Sequence, residues 1–125
     1  MKRMILFLCL AAMLIQLTAC GEKKENPNEP DAKEIWQQLV DAGTVDEKSQ
    51  VLSLKQNEDR LELDVNTAFG EQLRFYGTAG EYELMKQVVN TYLDAYGCEE
   101  IKITEEGGVL YSGHAEYDGY QKRYE

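Results

Sequence analysis

The chain has 125 residues, enough for one small domain and too few for two. It carries 23 Asp and Glu against 13 Lys and Arg, which gives a formal net charge of −10 at pH 7. Such an acidic surface repels phosphate groups. Nucleic acid and anionic lipid headgroups are therefore excluded as expected partners.

The N-terminus combines a basic end with an apolar run. Lys2 and Arg3 precede residues 5–17, which are apolar except for Gln16. A membrane-spanning helix needs about 20 apolar residues, so this shorter run is typical of the central region of a signal peptide. Residues 1–19 are therefore predicted to be a signal peptide that is removed on export.

The end of this run carries a specific motif. Leu17-Thr18-Ala19-Cys20 resembles the lipobox of bacterial lipoproteins, in which the cysteine is acylated and becomes the first residue of the mature chain. The resemblance implies that Cys20 is the lipidation site and that residues 1–19 are a lipoprotein signal peptide. Two acyl chains suffice for stable anchoring, so we expect a lipid-anchored protein on the extracytoplasmic face of the cell membrane. An ordinary secretory signal peptide with a chance cysteine is the alternative.

The remaining chain divides into a tether and a domain. Residues 20–30 begin with the lipidated cysteine and continue as a polar stretch that holds both prolines, which predicts a disordered tether. Residues 31–125 are predicted to be a single domain. Cys98 is its only cysteine, so an intramolecular disulfide is not expected, and Cys98 is predicted to be a buried packing residue.

The first predicted element of the domain is a short amphipathic helix. Asp31 is placed to cap its first turn, and Gly43 is a natural C-terminal end. Between them runs an apolar stripe that we expect to pack into the core, formed by Ile35, Trp36, Leu39 and Val40.

Two strands are predicted next. Residues 51–55 are short and rich in β-formers, and residues 61–65 alternate apolar and acidic side chains. A turn at residues 57–59 would join them as an antiparallel hairpin with one face against the core.

The longest predicted element is a helix of about sixteen residues that ends at Gly97. Thr78 is placed to cap it, and Glu81 stands in the capping-box position. Its wide apolar stripe must pack on the sheet and consists of Leu84, Met85, Val88, Val89, Tyr92, Leu93 and Tyr96.

Two further strands complete the prediction. Ile101 and Ile103 alternate with polar residues, and a glycine-containing turn at 106–108 leads into residues 109–111. The fold class is therefore α+β, in the order α-β-β-α-β-β. One long helix and one short N-terminal helix would pack on an antiparallel or mixed sheet of three to four strands.

Three segments together resemble the GerMN domain of sporulation and germination lipoproteins. They are Gly77-Thr78-Ala79-Gly80-Glu81, Val89-Asn90-Thr91-Tyr92-Leu93 and Ile101-Lys102-Ile103-Thr104. The resemblance extends over roughly residues 54–117, and Glu106 and Gly107 fit the acidic residue and glycine common in the family's last hairpin. It implies that residues 31–125 are a single GerMN-like interaction domain without catalytic activity.

No catalytic residue, metal site or cofactor is expected from the residues themselves. Ser112 and His114 are the residues that come nearest to a catalytic nucleophile–base pair, but on a strand their side chains would lie about 7 Å apart. One histidine and one thiol cannot form a structural zinc site. A small hydrolase is therefore the weakest of the functional classes considered.

Tyrosines recur near the C-terminus. Because tyrosine buries ring area while keeping a polar tip, the expected interaction surface consists of Tyr111, Tyr117, Tyr120 and Tyr124. The alternative is that these rings only cover the open side of the sheet.

The sequence thus predicts a membrane-anchored lipoprotein with a GerMN-like, non-catalytic interaction domain. It would act in a cell-envelope or sporulation/germination assembly, with the membrane bound through the lipid on Cys20 and an envelope protein as partner. The alternative is a lipid-anchored module that binds a solute or cell-wall glycan.

Overall fold

The computed structural model describes residues 30–125. The predicted signal peptide, the lipidation site Cys20 and residues 21–29 of the tether lie outside the described residues. The described elements are, in chain order, α1 (Ala32–Asp41), β1 (Val51–Asn57), β2 (Arg60–Val65), α2 (Thr67–Phe75), α3 (Thr78–Tyr96), β3 (Glu100–Glu105), β4 (Gly108–Tyr111), β5 (Glu116–Tyr117) and β6 (Gln121–Lys122).

The strands form one mixed sheet. β1 and β2 pair as the expected antiparallel hairpin, whereas β2 and β3 run parallel along their whole length, with Leu61 opposite Ile101 and Leu63 opposite Ile103. The other edge of β3 pairs with β6 at its start and with β4 at its end, and β5 pairs with β4. Parallel neighbours need a crossover connection, and here α2 and α3 provide it.

The core lies between the helices and one face of the sheet. Leu61, Leu63, Ile101 and Ile103 have no exposed surface, and neither does Val89 on α3. The alternation predicted for β2 and β3 thus places apolar side chains inward and polar ones on the opposite, open face.

α1 contributes the aromatic part of the core. Asp31 caps the helix by accepting a hydrogen bond of 2.9 Å from the N–H of Lys33. Trp36 packs edge-on against Phe69, with ring centroids 5.3 Å apart, and its indole N–H donates to the hydroxyl of Ser49 at 3.1 Å. The expected packing role of Trp36 is therefore confirmed.

The α+β class is confirmed, but the predicted order and strand count are wrong. The structure inserts α2 between β2 and the long helix, and it adds β5 and β6, so six strands replace three to four. β5 and β6 have two residues each, too few to show a periodicity in sequence.

α2 lacks a local start signal. Asn66 precedes it but makes no side-chain capping bond to the helix. Instead the Glu106 carboxylate, 39 residues away, accepts a 2.9 Å hydrogen bond from the N–H of Thr67 and a second bond from the Thr67 hydroxyl. The helix is thus capped by a residue that only the tertiary fold brings near.

The start of α3 also differs from the prediction. Gly77 is the N-cap and makes no side-chain capping bond, so Thr78 is the first helical residue rather than the cap. The helix ends as predicted, at Gly97 in the left-handed conformation with φ 64°.

The two ends of α3 mark opposite ends of the domain. Nineteen residues of α-helix span about 28 Å. At the C-terminal end the Tyr96 hydroxyl donates a 2.8 Å hydrogen bond to the carbonyl of Pro30, where the described chain begins.

Within residues 30–125 none of the helices is both long enough and apolar enough to cross a bilayer.

Candidate functional site

Exposed aromatic side chains gather where α2 meets α3. Phe75 is 86% exposed and packs edge-on against Tyr76, with ring centroids 6.1 Å apart. Tyr111, at the end of β4, is 48% exposed and lies beside the last turn of α2. We call Phe75, Tyr76, Tyr111 and the neighbouring His114 the aromatic corner.

An ion pair fixes the position of Tyr111. Arg74 donates two hydrogen bonds to the Glu105 carboxylate, at 2.8 and 3.0 Å, and its guanidinium lies 4.3 Å from the centroid of the Tyr111 ring. The hydrogen bond that Arg74 donates to Glu105 raises the pKa of Arg74, so the guanidinium stays charged. Arg74 also donates to the carbonyl of Tyr111 at 3.2 Å. Together these contacts join α2 to β3 and β4 beneath the exposed rings.

Gly70 makes this ion pair possible. A Cβ atom at this position would lie 2.0 Å from Oε1 of Glu105, far inside van der Waals contact. The glycine is therefore required by the close approach of the carboxylate to α2.

The turn between β3 and β4 supports the same region. Glu106 and Gly107 have φ values of 47° and 80°, the left-handed conformations of a tight hairpin. The Asp64 carboxylate accepts from the N–H of Gly107 at 2.9 Å and from the hydroxyl of Thr104 at 2.6 Å. The glycine-containing turn predicted here is confirmed.

A buried carboxylate lies beneath the corner. Glu81 is 5% exposed, and its Oε2 is 3.5 Å from Nδ1 of His114, whose side chain is 48% exposed. Its Oε1 is buried and has no hydrogen-bond partner among the described residues. The capping-box role predicted for Glu81 is therefore wrong, because its side chain faces the β4–β5 turn instead of the start of α3.

Two tyrosines line the buried side of Glu81. Burial first, and then the negative charge of Glu81, raise the pKa of Tyr117, and the same two causes raise the pKa of Tyr124. Both phenols stay neutral at physiological pH, so neither supplies Glu81 with a counter-charge, but Tyr117 hydrogen-bonds to its carboxylate.

Ser112 and His114 lie in a turn after β4. The hydroxyl oxygen of Ser112 accepts hydrogen bonds of 3.0 Å from the N–H groups of His114 and Ala115. The hydroxyl therefore stabilises the β4–β5 turn that presents His114 to Glu81.

The four tyrosines singled out in the sequence do not form one surface. Tyr111 belongs to the aromatic corner, whereas Tyr117 and Tyr124 are partly buried and pack against the core. Tyr120 lies on the open face of the sheet, where Arg60 is 4.6 Å from its ring centroid and its hydroxyl donates to Glu62 at 3.2 Å.

Sequence reasoning missed Phe75, Tyr76 and the burial of Glu81. A signal for the first two was present, because Phe75 and Tyr76 are adjacent aromatic residues that no predicted element included. The burial of Glu81 had no local signal, since its contact with His114 joins residues 33 positions apart.

The open face of the sheet offers a second, shallower feature. A polar depression of about 210 Å³ is lined by Ser53, Lys55, Glu62, Asp64, Lys102, Thr104 and Gly107. Across residues 30–125, no three His, Cys, Asp or Glu side chains converge into a set of metal ligands.

Comparison with known proteins supports the fold but names no family. No family model matches the chain, and no curated protein matches it. A crystal structure of a Clostridium perfringens protein described as a "Putative Lipoprotein" is similar, with a TM-score of 0.64 and 11% sequence identity, covering 82% of this chain and 81% of that one. At this identity the likeness shows a shared fold, and the resemblance to the GerMN family gains no support from it.

Proposed function

We propose that this protein is a membrane-anchored lipoprotein whose domain binds a protein partner through the aromatic corner. The observation that carries the proposal is Phe75, a large apolar side chain that is 86% exposed. Contiguous exposed aromatic residues are typical of interaction sites, and aromatic residues and arginine are enriched at protein interfaces. Arg74 and Glu105 hold Tyr111 against the last turn of α2, the turn that carries Phe75, so the surface is pre-organised for binding.

The geometry favours a protein partner over the bilayer itself. The tether joins the domain beside Tyr96, at the C-terminal end of α3, whereas the aromatic corner lies at the N-terminal end, about 28 Å away. The corner and the point where the tether joins therefore lie at opposite ends of α3, so a partner can reach the corner while the lipid stays in the membrane. The acidic surface disfavours anionic lipid in the same way.

The anchor is the lipid on Cys20. The lipobox at residues 17–20 supports it, and so does the description of the structurally similar Clostridium perfringens protein. The anchor implies the extracytoplasmic face of the cell membrane and an envelope protein as partner. A role in a sporulation or germination assembly rests on the GerMN resemblance alone.

Site-specific photocrosslinking in intact cells tests the interaction. A photoreactive phenylalanine is placed at Phe75 or Tyr111, and the control is the same residue at Leu52, which is 46% exposed on β1 far from the corner. We expect an adduct with an envelope protein from the two corner positions and none from Leu52. An adduct from Leu52 alone would move the interface to the sheet edge and refute the proposal.

Fractionation of cells tests the anchor. Replacing Cys20 with Ala removes the thiol that carries the lipid, so the protein should leave salt-washed membranes once the signal peptide is cleaved. Retention of the cleaved variant at the wild-type level would show that another feature holds it there.

The open face of the sheet favours a second candidate, the binding of a solute or cell-wall glycan. Tyr120 stands beside the polar depression, and sugars bind to aromatic rings flanked by hydrogen-bonding groups. Titrating purified peptidoglycan fragments into the full-length protein in detergent separates the two candidates. Saturable binding that Tyr120→Ala removes and Phe75→Ser leaves intact would favour the glycan.

A further inference from the structure

We infer that Glu81 is the counter-ion for a lysine or arginine side chain of the protein partner, received at the aromatic corner. The inference rests on the proposed function and specifies the chemistry of the partner. It makes Glu81 a residue that determines specificity, with Phe75 supplying apolar contact beside it.

The first argument is the cost of the buried carboxylate. Glu81 is 5% exposed, and its Oε1 is buried without a hydrogen-bond partner among the described residues. Its Oε2 lies 3.5 Å from Nδ1 of His114, and Tyr117 hydrogen-bonds to the carboxylate. Burying a carboxylate with one oxygen unsatisfied is expensive, and an apolar side chain would serve the fold better. A group that opposes folding in this way is typical of a site that acts on something else.

The second argument is access. The imidazole of His114 contacts Oε2 of Glu81, and the His114 side chain is 48% exposed, so this contact lies at the surface of the domain. Rotation of the His114 side chain away from Oε2 would leave that oxygen open to a partner.

The third argument is the charge around the corner. Glu71 is exposed one helical turn before Phe75, and Glu116 is exposed directly opposite Tyr111 in the β4–β5 pair. Arg74, the basic residue of the corner, is already committed to Glu105. The free charges at the corner are therefore negative, and the faces of aromatic rings attract cations as well. A cationic side chain complements both.

Crosslinking from Phe75 in intact cells also tests this inference. The photoreactive phenylalanine at position 75 is combined with Glu81→Gln, and the matched control is Glu83→Gln, which removes the same charge from an exposed position on the same helix. We expect Glu81→Gln to reduce the adduct at least tenfold and Glu83→Gln to leave it within twofold. Mass spectrometry of the wild-type adduct should place a lysine or arginine within a few residues of the crosslink.

A thermal melt of the full-length protein in detergent distinguishes a binding role of Glu81 from a structural role. Removing a buried charge that leaves Oε1 unsatisfied should raise the melting temperature of Glu81→Gln by about 3–8 °C. An unchanged adduct in Glu81→Gln, or a crosslinked segment without a basic residue, would overturn the inference while the proposed function stands. Loss of the adduct together with a lower melting temperature would also overturn it, because Glu81 would then act through folding. If the photoreactive phenylalanine at position 75 gives no adduct in the protein that keeps Glu81, the proposed function itself is refuted.

Discussion

The start of α3 departs from the rule that the rest of the helix follows. From Val88 to Leu93 the helix places its apolar side chains in the core and its polar ones outside, as the 3.6-residue period requires. Near its start it does the reverse, since Glu81 is buried and Tyr82 is 44% exposed. The same helix thus packs into the core along most of its length and places a buried carboxylate beneath the aromatic corner at its start.

This difference separates stability from function. Where pattern, burial and polarity agree, a residue is explained by the fold. Where they disagree, as at Glu81 and Phe75, the fold gains nothing from the residue, and a partner is the better explanation. The predictions below test whether the two regions differ in this way.

The largest effect should come from the core half. Val89→Asp would place a charge where no surface is exposed, at a cost of several kcal/mol, comparable with the whole stability of a small domain. We expect a largely unfolded protein by far-ultraviolet circular dichroism, while Gln87→Asp, an exposed change on the same helix, stays folded. Cooperative melting of Val89→Asp within a few degrees of the wild type would show that this stripe does not face the core.

Next in size is the ion pair that supports the corner. Gly70→Ala would push the Glu105 carboxylate away from Arg74 and cost about 2 kcal/mol, although alanine normally favours a helix. Gly113→Ala, where a Cβ would meet nothing within 4 Å, should be close to neutral in the same urea titration.

The double variant sharpens this test. With Glu105→Ala in place the obstacle is gone, so Gly70→Ala should stabilise the protein by up to about 1 kcal/mol. If the two changes are simply additive, the contact between Gly70 and Glu105 is not the cause of the loss.

A smaller effect should appear at alkaline pH in the core half. Burial first, then Tyr96 and Asp31, raise the pKa of Tyr92 above its ordinary value near 10, so the folded state favours the neutral phenol. This contribution is intact below pH 10 and is lost as the pH rises above it, by about 1.4 kcal/mol per pH unit. Urea titrations from pH 9 to 11 should show a shallower decline for Tyr92→Phe than for the wild type; parallel declines would contradict this assignment.

The smallest effect on stability should come from the corner itself. Phe75→Ser changes a side chain that is 86% exposed, so the free energy of unfolding should stay within about 0.5 kcal/mol of the wild type. Phe69→Ser, in the same helix but with no exposed surface, should cost more than about 3 kcal/mol. A large loss for Phe75→Ser would mean that the ring belongs to the fold and not to an interface.

The sequence predicted those elements whose signals are local. The alternation in β2, the apolar stripe of α3 and the glycine that ends it at Gly97 each lie within a few residues of the structure they specify. These elements form where they were predicted because burial and backbone geometry act over one turn or one strand. The cap at Asp31 belongs to the same class.

Elements that depend on distant residues could not be predicted in this way. α2 starts where Glu106 binds Thr67, and β5 and β6 exist only because β4 and β3 lie beside them. The four tyrosines are divided for the same reason, since the Tyr120 side chain contacts Glu62 on the open face and the Tyr124 ring packs against Tyr82 of α3.

By itself the sequence determined an acidic chain with a lipobox, an α+β pattern and a core face for each long element, because composition and periodicity are properties of neighbouring residues. Only the tertiary structure decided that β2 and β3 run parallel, that Gly70 admits the Glu105 carboxylate, and that His114 covers a buried Glu81 beside an exposed Phe75. Those contacts join residues that are 33 to 40 positions apart, and pairing at such distance is set by packing the whole domain at once.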